Sequence, residues 1–542
     1  MTADDVVPTL SAPEHALAQA PGPESHRRVG LELVSWLLVF GLSIVFIGAV
    51  VRPVSAGPTT SDAAASVLYF DRIVSGQRLE AFVNTTSKPV LTVVFGIGYA
   101  LTHDWRVIAI STIVAASAAV VFGARLARRA VGTGAAVAVA IALASSAIIL
   151  SEVTWGYALP WALAAWVLAG LAVTRERPSF LVAGLALLVG ALARPETYFL
   201  IALATACLGA LAARGRFPRG GAWLLTAWLA VPIICLHDLL LTGDPLFWLR
   251  VATIYADGIK VASKGTVALR VAHEVVATPL ATVAAIGGLA ALDRTRHGRV
   301  VAAGILAIGL GTAFLLVAIA ARHLATPNYY LHPIDIAVIF AAAIGTGSAA
   351  TIVAGRVDGW LRSVRHAVPR GPVGRRRSGR AAILEAAAAV GLTVLVLRPV
   401  LLSESTLDSI RNQREVAANA DRAAEVLRGL VREQGITAGP GGDPGRFADP
   451  AGLRILVPRP VQTRLAVTLG LPVTVIGASV PDHRMNGLVH PGLILYRDQA
   501  TEQGGGLPTQ FGGTTPLTVD GVKFVPVVAD PAGGRWIWAN PG

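Results

Sequence analysis

The stretch LELVSWLLVFGLSIVFIGAVV, residues 31–51, decides the class of fold because Glu32 is its one charged residue. A secretory signal peptide has a shorter apolar segment, of ~7–15 residues. We therefore interpret residues 31–51 as an uncleaved transmembrane helix. The preceding residues 1–30 are polar, end in His26-Arg27-Arg28, and are predicted to form a cytoplasmic N-terminal tail.

The composition of the whole chain agrees with this interpretation. Of 542 residues, 54% are hydrophobic and 15% are charged, and the mean hydropathy is +0.61. These values exclude a wholly soluble enzyme. The net charge of +13 lies mostly in short arginine runs between apolar segments, which indicates membrane topology rather than nucleic-acid binding. Cys207 and Cys235 both lie in apolar runs, so neither a disulfide framework nor a zinc site is indicated.

Further apolar runs follow the first and suit membrane-spanning helices of ~17–25 residues, a few of them slightly short. Together they predict about eleven spans in an all-α polytopic membrane domain, residues 31–402. The later runs are 105–124, 132–151, 157–174, 179–193, 196–213, 222–241, 275–292, 300–320, 333–354 and 381–402.

The arginines predict the orientation of these spans. With the N-terminus inside, arginine clusters fall in the cytoplasmic loops and the positive-inside rule is satisfied. The apolar stretch Pro89–Leu101 is too short to span, so we place it in the outer interface. The first outer loop (53–104), the loop 242–274 and the turn 321–332 then share the outer side of a multi-pass plasma-membrane protein.

Residues 403–542 form a polar tail rich in glycine and proline. It opens with an amphipathic helical pattern that includes Ile410 and Leu427, and continues with segments typical of strand, helix and strand. "LILYRDQA", "KFVPVV" and "RWIWA" predict further strands. The tail is predicted to be a small extracytoplasmic α/β domain, accessory to the membrane domain and without part of the catalytic centre.

The first outer loop carries the earliest candidate residues. Its sequence GPTTSDAAASVLYFDRIVSGQRLEAFVNTTSKPVLTVV covers residues 57–94. If 62–75 is helical, Asp62 and Tyr69 share a face and Asp71 points the opposite way. The loop therefore offers one carboxylate per face. The alternative for Asp62 is a helix cap, formed together with Thr59, Thr60 and Ser61.

The order of motifs in the membrane half resembles the GT-C glycosyltransferases, which use polyprenyl-phosphate sugars. These include protein O-mannosyltransferases, the aminoarabinose transferase of lipid A and envelope arabinosyl- and mannosyltransferases. The shared features are an early Asp after the first span, "YFDRIVSG", a "KPVL" helix, and a second span ending in "GARLARR". "GALARPETY", "TGDPLFWLRVATIY" and "RHLATPNYYLHPIDI" continue the resemblance, which covers about residues 30–402. The chain has Ser61-Asp62 where many members have paired acids, and Lys88-Pro89-Val90 where they have Lys-Pro-Pro.

The resemblance implies transfer of a monosaccharide from a polyprenyl-phosphate donor to a glycan, lipid or protein acceptor of the cell envelope, on the outer membrane face. It implies that Asp62 is the base that takes the proton of the acceptor hydroxyl. The leaving lipid phosphate keeps its charge and needs fixed cations. The candidates for that role are Lys88, Arg194 and Arg322. No metal site is indicated, although a requirement for a divalent cation stays open.

Other residues near the outer interface are candidate sugar or phosphate contacts. For Arg194 the alternative is a structural ion pair with Glu196 or Glu152, and for Lys88 it is interfacial snorkelling. Tyrosines at this depth also belong to the ordinary aromatic belt. His237 and Asp238 are interpreted as an interfacial pair. The remaining candidate substrate contacts are Tyr69, Asp71, Glu196, Asp244, Tyr255, His323, Tyr329, Tyr330 and His332.

Two other classes of function are compatible with many apolar spans. One is a transporter or flippase for a lipid-linked glycan, which would be expected to show repeats, broken helices at the membrane midplane and ionisable residues at mid-span. The other is a scaffold that displays the tail, for which eleven spans are excessive. No internal repeat is evident, and the charges lie at the outer ends of the spans. We therefore favour the transferase.

Overall fold

A computed structural model describes most of the membrane half and parts of the tail. The described residues are 23–51, 61–79, 88–247, 272, 278–321, 330–365, 379–408, 410–411, 421, 424–425, 427–428, 454–457, 459–470, 476–478, 493–498, 517–519, 522–530 and 535–539.

Fourteen α-helices form the described membrane half, and two short 3-10 helices lie at 221–229 and 398–400. The helices are α1 (Pro23–Val51), α2 (Ser61–Val74), α3 (Pro89–Thr102), α4 (Arg106–Ala130), α5 (Thr133–Ala144), α6 (Ala147–Trp155), α7 (Leu159–Val173), α8 (Phe180–Ala193), α9 (Thr197–Ala213), α10 (Ala230–Thr242), α11 (Pro279–Asp293), α12 (Arg296–Ala321), α13 (His332–Arg365) and α14 (Gly379–Leu397).

All of the predicted apolar runs are helical over most of their length, as expected for a membrane-embedded helical protein. Among the described residues, 6 helices are long and apolar enough to cross a membrane, and further apolar helices are shorter. The run 132–151 is interrupted at Ser145 and Ser146, where α5 ends and α6 begins. The run 222–241 begins as a 3-10 helix. The span count of eleven and the orientation stay predictions.

Small residues allow the central helices to approach closely. Helix α13 packs against α5, α11 and α14. A Cβ added at Gly134 in α5 would lie 2.5 Å from the backbone oxygen of Gly347 in α13. One added at Gly288 in α11 would lie 1.9 Å from the backbone oxygen of Ala341. Such contacts are typical of membrane helices, whose association depends on close packing rather than on apolar burial.

The described residues of the tail include six strands, a helix at 459–469 and a shorter helical stretch at 404–408. Strands β1 (Arg454–Val457), β2 (Ile476–Ala478), β3 (Leu493–Asp498), β4 (Leu517–Val519), β5 (Val522–Asp530) and β6 (Arg535–Ala539) form a sheet in the order β2-β1-β3-β6-β5-β4. β1 is parallel to β2 and β3, and the other pairs are antiparallel. Helix α15 (Arg459–Leu469) connects β1 to β2, the usual geometry for joining parallel neighbours.

Helix α15 does not stand apart from the membrane half, because it packs against α2 of the first outer loop. Arg464 is 1% exposed, and its guanidinium carbon lies 5.3 Å from the ring centroid of Trp105. The guanidinium also donates to Asp421 at 2.6 Å. Burial lowers the pKa of Arg464, and the ion pair with Asp421 opposes that shift. The tail was predicted to be an accessory domain without part of the catalytic centre, and this stays a prediction; its helix α15 contacts the helix that carries Asp62.

Candidate functional site

Asp62 and Lys88 form an ion pair across the first outer loop. Lys88 Nζ lies 2.5 Å from Asp62 Oδ2, and each side chain is 14% exposed. Among the described residues, each is the other's one side-chain partner. The pair is therefore largely shielded from solvent and, among the described residues, is held by a single side-chain contact.

The packing of α3 on α2 brings the two charges together. Lys88 is the residue immediately before α3, and Pro89 opens the helix, where its fixed backbone angle favours helix formation. Asp62 lies in the first turn of α2. Gly96 permits the close approach of the two helices, because a Cβ at this position would lie 2.1 Å from Cβ of Phe70.

A buried network involving His237 supports the same helices from α10. His237 Nε2 lies 3.2 Å from Thr92 Oγ1 on α3, and its Nδ1 lies 3.3 Å from Asp238 Oδ1. Thr92 in turn donates to the backbone oxygen of Lys88 at 3.3 Å. His237 is 7% exposed and Asp238 is fully buried. This pair, interpreted as interfacial, is buried within the protein and connects α10 to the start of α3.

The first outer loop also meets the start of the loop 242–274. Leu79 N–H donates to the backbone oxygen of Leu241 at 2.8 Å. Gly243 adopts a left-handed conformation with φ 79, and the guanidinium of Arg78 lies against it. Asp244 accepts the backbone N–H of Leu246 at 3.1 Å. The two outer regions that were predicted to share one side therefore touch, with Asp244 at the turn.

A second group of ionisable residues, the Arg194 cluster, comprises Arg194, Glu196, Glu152 and His332. Arg194 donates twice to Glu196, from Nε at 3.2 Å and from Nη2 at 3.0 Å. Its Nη1 lies 3.9 Å from Glu152 Oε1. The same Glu152 oxygen lies 2.5 Å from His332 Nδ1, and its Oε2 accepts the N–H of Leu159 at 3.3 Å. Glu152 therefore links α6, α7, α13 and the turn between α8 and α9.

The local sequence explains why Arg194 enters this cluster. A residue before proline is driven towards extended backbone, and Arg194 precedes Pro195 with φ -147 and ψ 135. This ends α8 and turns the side chain into the bundle, where Arg194 is 6% and Glu196 is 2% exposed. Both candidate carboxylate partners named from the sequence contact Arg194. The ion pairs of the structural alternative are therefore present, and direct substrate contact by Arg194 and Glu196 stays a prediction.

The other predicted site residues divide between buried and exposed positions. Tyr69 is 3% exposed, and its ring meets that of His237 edge-on with centroids 6.0 Å apart; its role as a substrate contact stays a prediction. The Asp71 carboxylate is 67% exposed and 3.7 Å from Arg72, on the face opposite Asp62 as predicted. Tyr330 lies near enough to Arg194 to interact electrostatically. Tyr255, Arg322, His323 and Tyr329 lie outside the described residues.

Sequence reasoning missed three contributors to this region: Thr92, His237 as part of a network, and Arg464. Thr92 and His237 are separated by 145 positions, and no local pattern marks either one. Arg464 lies in the tail, which was predicted to contain no part of the catalytic centre. Within the described part of the chain, no group of three or more His, Cys, Asp or Glu side chains is arranged to hold a metal ion.

Comparisons with known proteins give a fold but no sequence relative. No family model matches the chain, and no curated protein matches it. The archaeal oligosaccharyltransferase AglB from Archaeoglobus fulgidus, solved with an inhibitory peptide and a dolichol-phosphate, matches with a TM-score of 0.50 and 12% identity over 94% of this chain and 74% of that one. ArnT from Cupriavidus metallidurans, solved with undecaprenyl phosphate, gives 0.47 and 13% over 96% of this chain and 100% of that one. On the AglB match, the chain has a GT-C-like fold.

Proposed function

We propose that the protein is a glycosyltransferase that moves a monosaccharide from a polyprenyl-phosphate donor to a cell-envelope acceptor on the outer face of the membrane. The single observation that carries the proposal is the Asp62–Lys88 pair. It combines a carboxylate and a cation at one place, 2.5 Å apart and 14% exposed. Transfer from a lipid phosphate uses both groups, one for the acceptor hydroxyl and one for the leaving phosphate.

In this proposal Lys88 exchanges partners during the reaction. Without donor, its ammonium is held by Asp62; when donor binds, the phosphate competes for the ammonium and Asp62 is released. The carboxylate then accepts the proton of the acceptor hydroxyl as the hydroxyl oxygen attacks the anomeric carbon. The bond from that carbon to the phosphate oxygen breaks, and the lipid phosphate leaves with the bonding electron pair. Donor binding thus prepares the base.

The Arg194 cluster has a supporting role in the same proposal. Arg194 already has two hydrogen bonds to Glu196 and a second carboxylate at 3.9 Å, so a phosphate would have to displace Glu196 to reach it. A buried arginine with its charge satisfied positions helix ends but is not available as a clamp. We assign the phosphate contact to Lys88 and the joining of α6, α7, α8 and α13 to the Arg194 cluster.

The ligands of the structurally similar proteins suggest which class of donor should be tested. AglB was solved with a dolichol-phosphate and ArnT with undecaprenyl phosphate, and both ligands are polyprenyl phosphates. A lipid tail of this kind reaches a juxtamembrane site from the bilayer, which suits a pair placed at the start of the short apolar helix α3. The proposed acceptor is an envelope glycan, lipid or protein.

The test is turnover by the purified full chain in lipid nanodiscs. Polyprenyl-phosphate monosaccharides that differ in the sugar are supplied with envelope extract as acceptor, and release of free polyprenyl phosphate is followed by mass spectrometry. The proposal predicts that at least one donor yields free polyprenyl phosphate together with sugar bound to acceptor. A chain that moves an intact donor across a sealed bilayer and cleaves none would instead be a transporter.

A further inference from the structure

A cavity lies at the end of the bundle remote from Asp62. Its volume is about 630 Å³, and it lies where three helix ends meet. Arg129 is in the last turn of α4, the turn 174–177 joins α7 to α8, and His297 is in the first turn of α12. We call it the basic pocket; its lining residues are Arg129, Thr174, Arg175, Glu176, Arg177 and His297.

The course of the helices separates the basic pocket from the candidate site. Helix α4 begins beside Trp105, against which Arg464 packs, and ends at the pocket. Over its 25 residues a helix rises about 37 Å. Helix α7 begins at Leu159, which bonds to Glu152 of the Arg194 cluster, and ends beside Thr174. The pocket is therefore a second location on the molecule and no extension of the site already described.

The arginines of the pocket differ from their immediate neighbours in the chain. Arg128, next to Arg129, lies 3.5 Å from Glu32, and Arg299, just beyond His297, lies 3.6 Å from Asp293. Among the described residues, Arg129, Arg175 and Arg177 have no carboxylate within ion-pair distance. The positive-inside rule accounts for arginines in these loops. It does not account for three arginines that meet at one cavity with no carboxylate at ion-pair distance among the described residues; of the three, Arg129 donates to the backbone oxygen of Leu171 at 3.0 Å.

We propose that the basic pocket binds a phosphate group, carried either by the headgroup of an anionic phospholipid or by a soluble phosphate ester. Guanidinium groups bind phosphate through two parallel hydrogen bonds, and basic pockets between membrane helices are known to hold anionic headgroups. The volume of about 630 Å³ falls within the range of small-ligand sites, ~300–1,000 Å³. The single carboxylate, Glu176, leaves the pocket with a net positive charge and gives an acceptor for a headgroup hydroxyl.

The main experiment measures binding by the full chain and does not depend on catalysis. Native mass spectrometry counts the lipids retained from nanodiscs of mixed phosphatidylglycerol and phosphatidylcholine. The wild type should retain phosphatidylglycerol in preference. The double variant Arg175→Ala/Arg177→Ala should lose about tenfold or more of that preference, since each arginine near an anionic surface contributes roughly 1 kcal/mol.

The matched control removes the same charge from another loop. Arg216 and Arg219 are exposed in the turn after α9 and do not line the pocket. Arg216→Ala/Arg219→Ala should keep the wild-type preference. If both double variants lose it equally, or if the wild type shows none, the proposal is overturned. The milder Arg177→Gln, at an exposed position, repeats the test with a smaller change of side-chain volume.

A second arm distinguishes the two sources of phosphate. Glycerol 3-phosphate and inorganic phosphate are titrated into the protein in neutral phosphatidylcholine nanodiscs, with thermal stability as the readout. Stabilisation that the Arg175→Ala/Arg177→Ala variant abolishes assigns the pocket to a soluble phosphate ester. Retention of phosphatidylglycerol with no response to either soluble anion assigns it to a lipid headgroup. If the wild type neither retains phosphatidylglycerol in preference nor is stabilised by a soluble phosphate, the proposed site is rejected.

Discussion

The Asp62–Lys88 pair and the Arg194 cluster are both groups of opposite charges at helix ends, yet they differ in how far their bonding is satisfied. Asp62 and Lys88 share one contact and are each 14% exposed. In the Arg194 cluster, Glu152 is fully buried and contacts Arg194, His332 and the N–H of Leu159. Removing one member of a satisfied buried group leaves other charges unpaired. Opening the single contact between Asp62 and Lys88 allows each side chain to bind a new partner.

In our proposal, this difference distinguishes the reacting Asp62–Lys88 pair from the supporting Arg194 cluster. An arginine that contacts two carboxylates is already desolvated and paired. Binding a phosphate would therefore add little interaction energy. In the proposal, Lys88 exchanges one anionic partner for another when the phosphate binds, so its charge stays paired although the pair is only 14% exposed. The type of residue alone would rank Arg194 as the better phosphate ligand. The pairing observed in the structure is our reason for proposing Lys88 instead.

The largest expected effect on stability is that of Arg194→Ala. It leaves Glu196 and Glu152 buried without their cation, which costs about 3–5 kcal/mol for a broken buried pair. We expect a lower thermal unfolding temperature and a lower purified yield. The double variant Arg194→Met/Glu196→Gln should recover part of the loss, and Arg216→Ala, at an exposed position, is the control. Wild-type stability in Arg194→Ala together with lost donor binding would restore this arginine to the site.

Lys88→Met should weaken donor binding while the protein stays folded. The loss of one charge-assisted contact is worth about 1.5–3 kcal/mol, or roughly 10–100-fold in Kd. Arg106→Met is the matched control, because Arg106 lies nearby in the chain and its partner Asp104 is exposed. The Kd for polyprenyl phosphate, measured in nanodiscs, reports the effect. Equal loss in both variants would show that overall charge, and not Lys88, attracts the donor.

Arg464→Met tests the contact between the tail and the first outer loop. The substitution keeps most of the buried volume but removes the ion pair with Asp421 and the contact with the Trp105 ring. We expect a smaller destabilisation of about 1–2 kcal/mol and faster proteolysis at the junction after residue 402. Arg411→Met is the control, since Arg411 is exposed and pairs only with the nearby Asp408 among the described residues. Unchanged proteolysis would indicate that α15 does not depend on this arginine.

The sequence was most informative where local patterns determine structure. Apolar runs predicted the helices, and the proline after Lys88 marked the start of α3. The two opposite faces of α2 also followed from helical periodicity, which placed Asp71 away from Asp62. Each of these features depends on residues within a few turns of one another.

Long-range packing set the features that the sequence did not reveal. The contacts Thr92–His237 and Arg464–Trp105 join segments that are distant in the sequence. Apolar periodicity does not predict which helices pack against each other. The partners of Arg194 could not be decided from the sequence for the same reason. Glu196 lies two positions away, but Glu152 and His332 belong to other helices. The pairing had to be observed.

The most direct test of the account compares two carboxylates on one helix. Asp62→Asn and Asp71→Asn remove the same charge from opposite faces of α2, and both turnover of a polyprenyl-phosphate sugar and donor Kd are measured on the purified variants. We predict that Asp62→Asn lowers turnover by about 10²–10⁴-fold without weakening donor binding, because Lys88 is released to the phosphate. Asp71→Asn, which changes an exposed side chain, should match the wild type. Wild-type turnover in Asp62→Asn, or a larger loss in Asp71→Asn, would contradict the account.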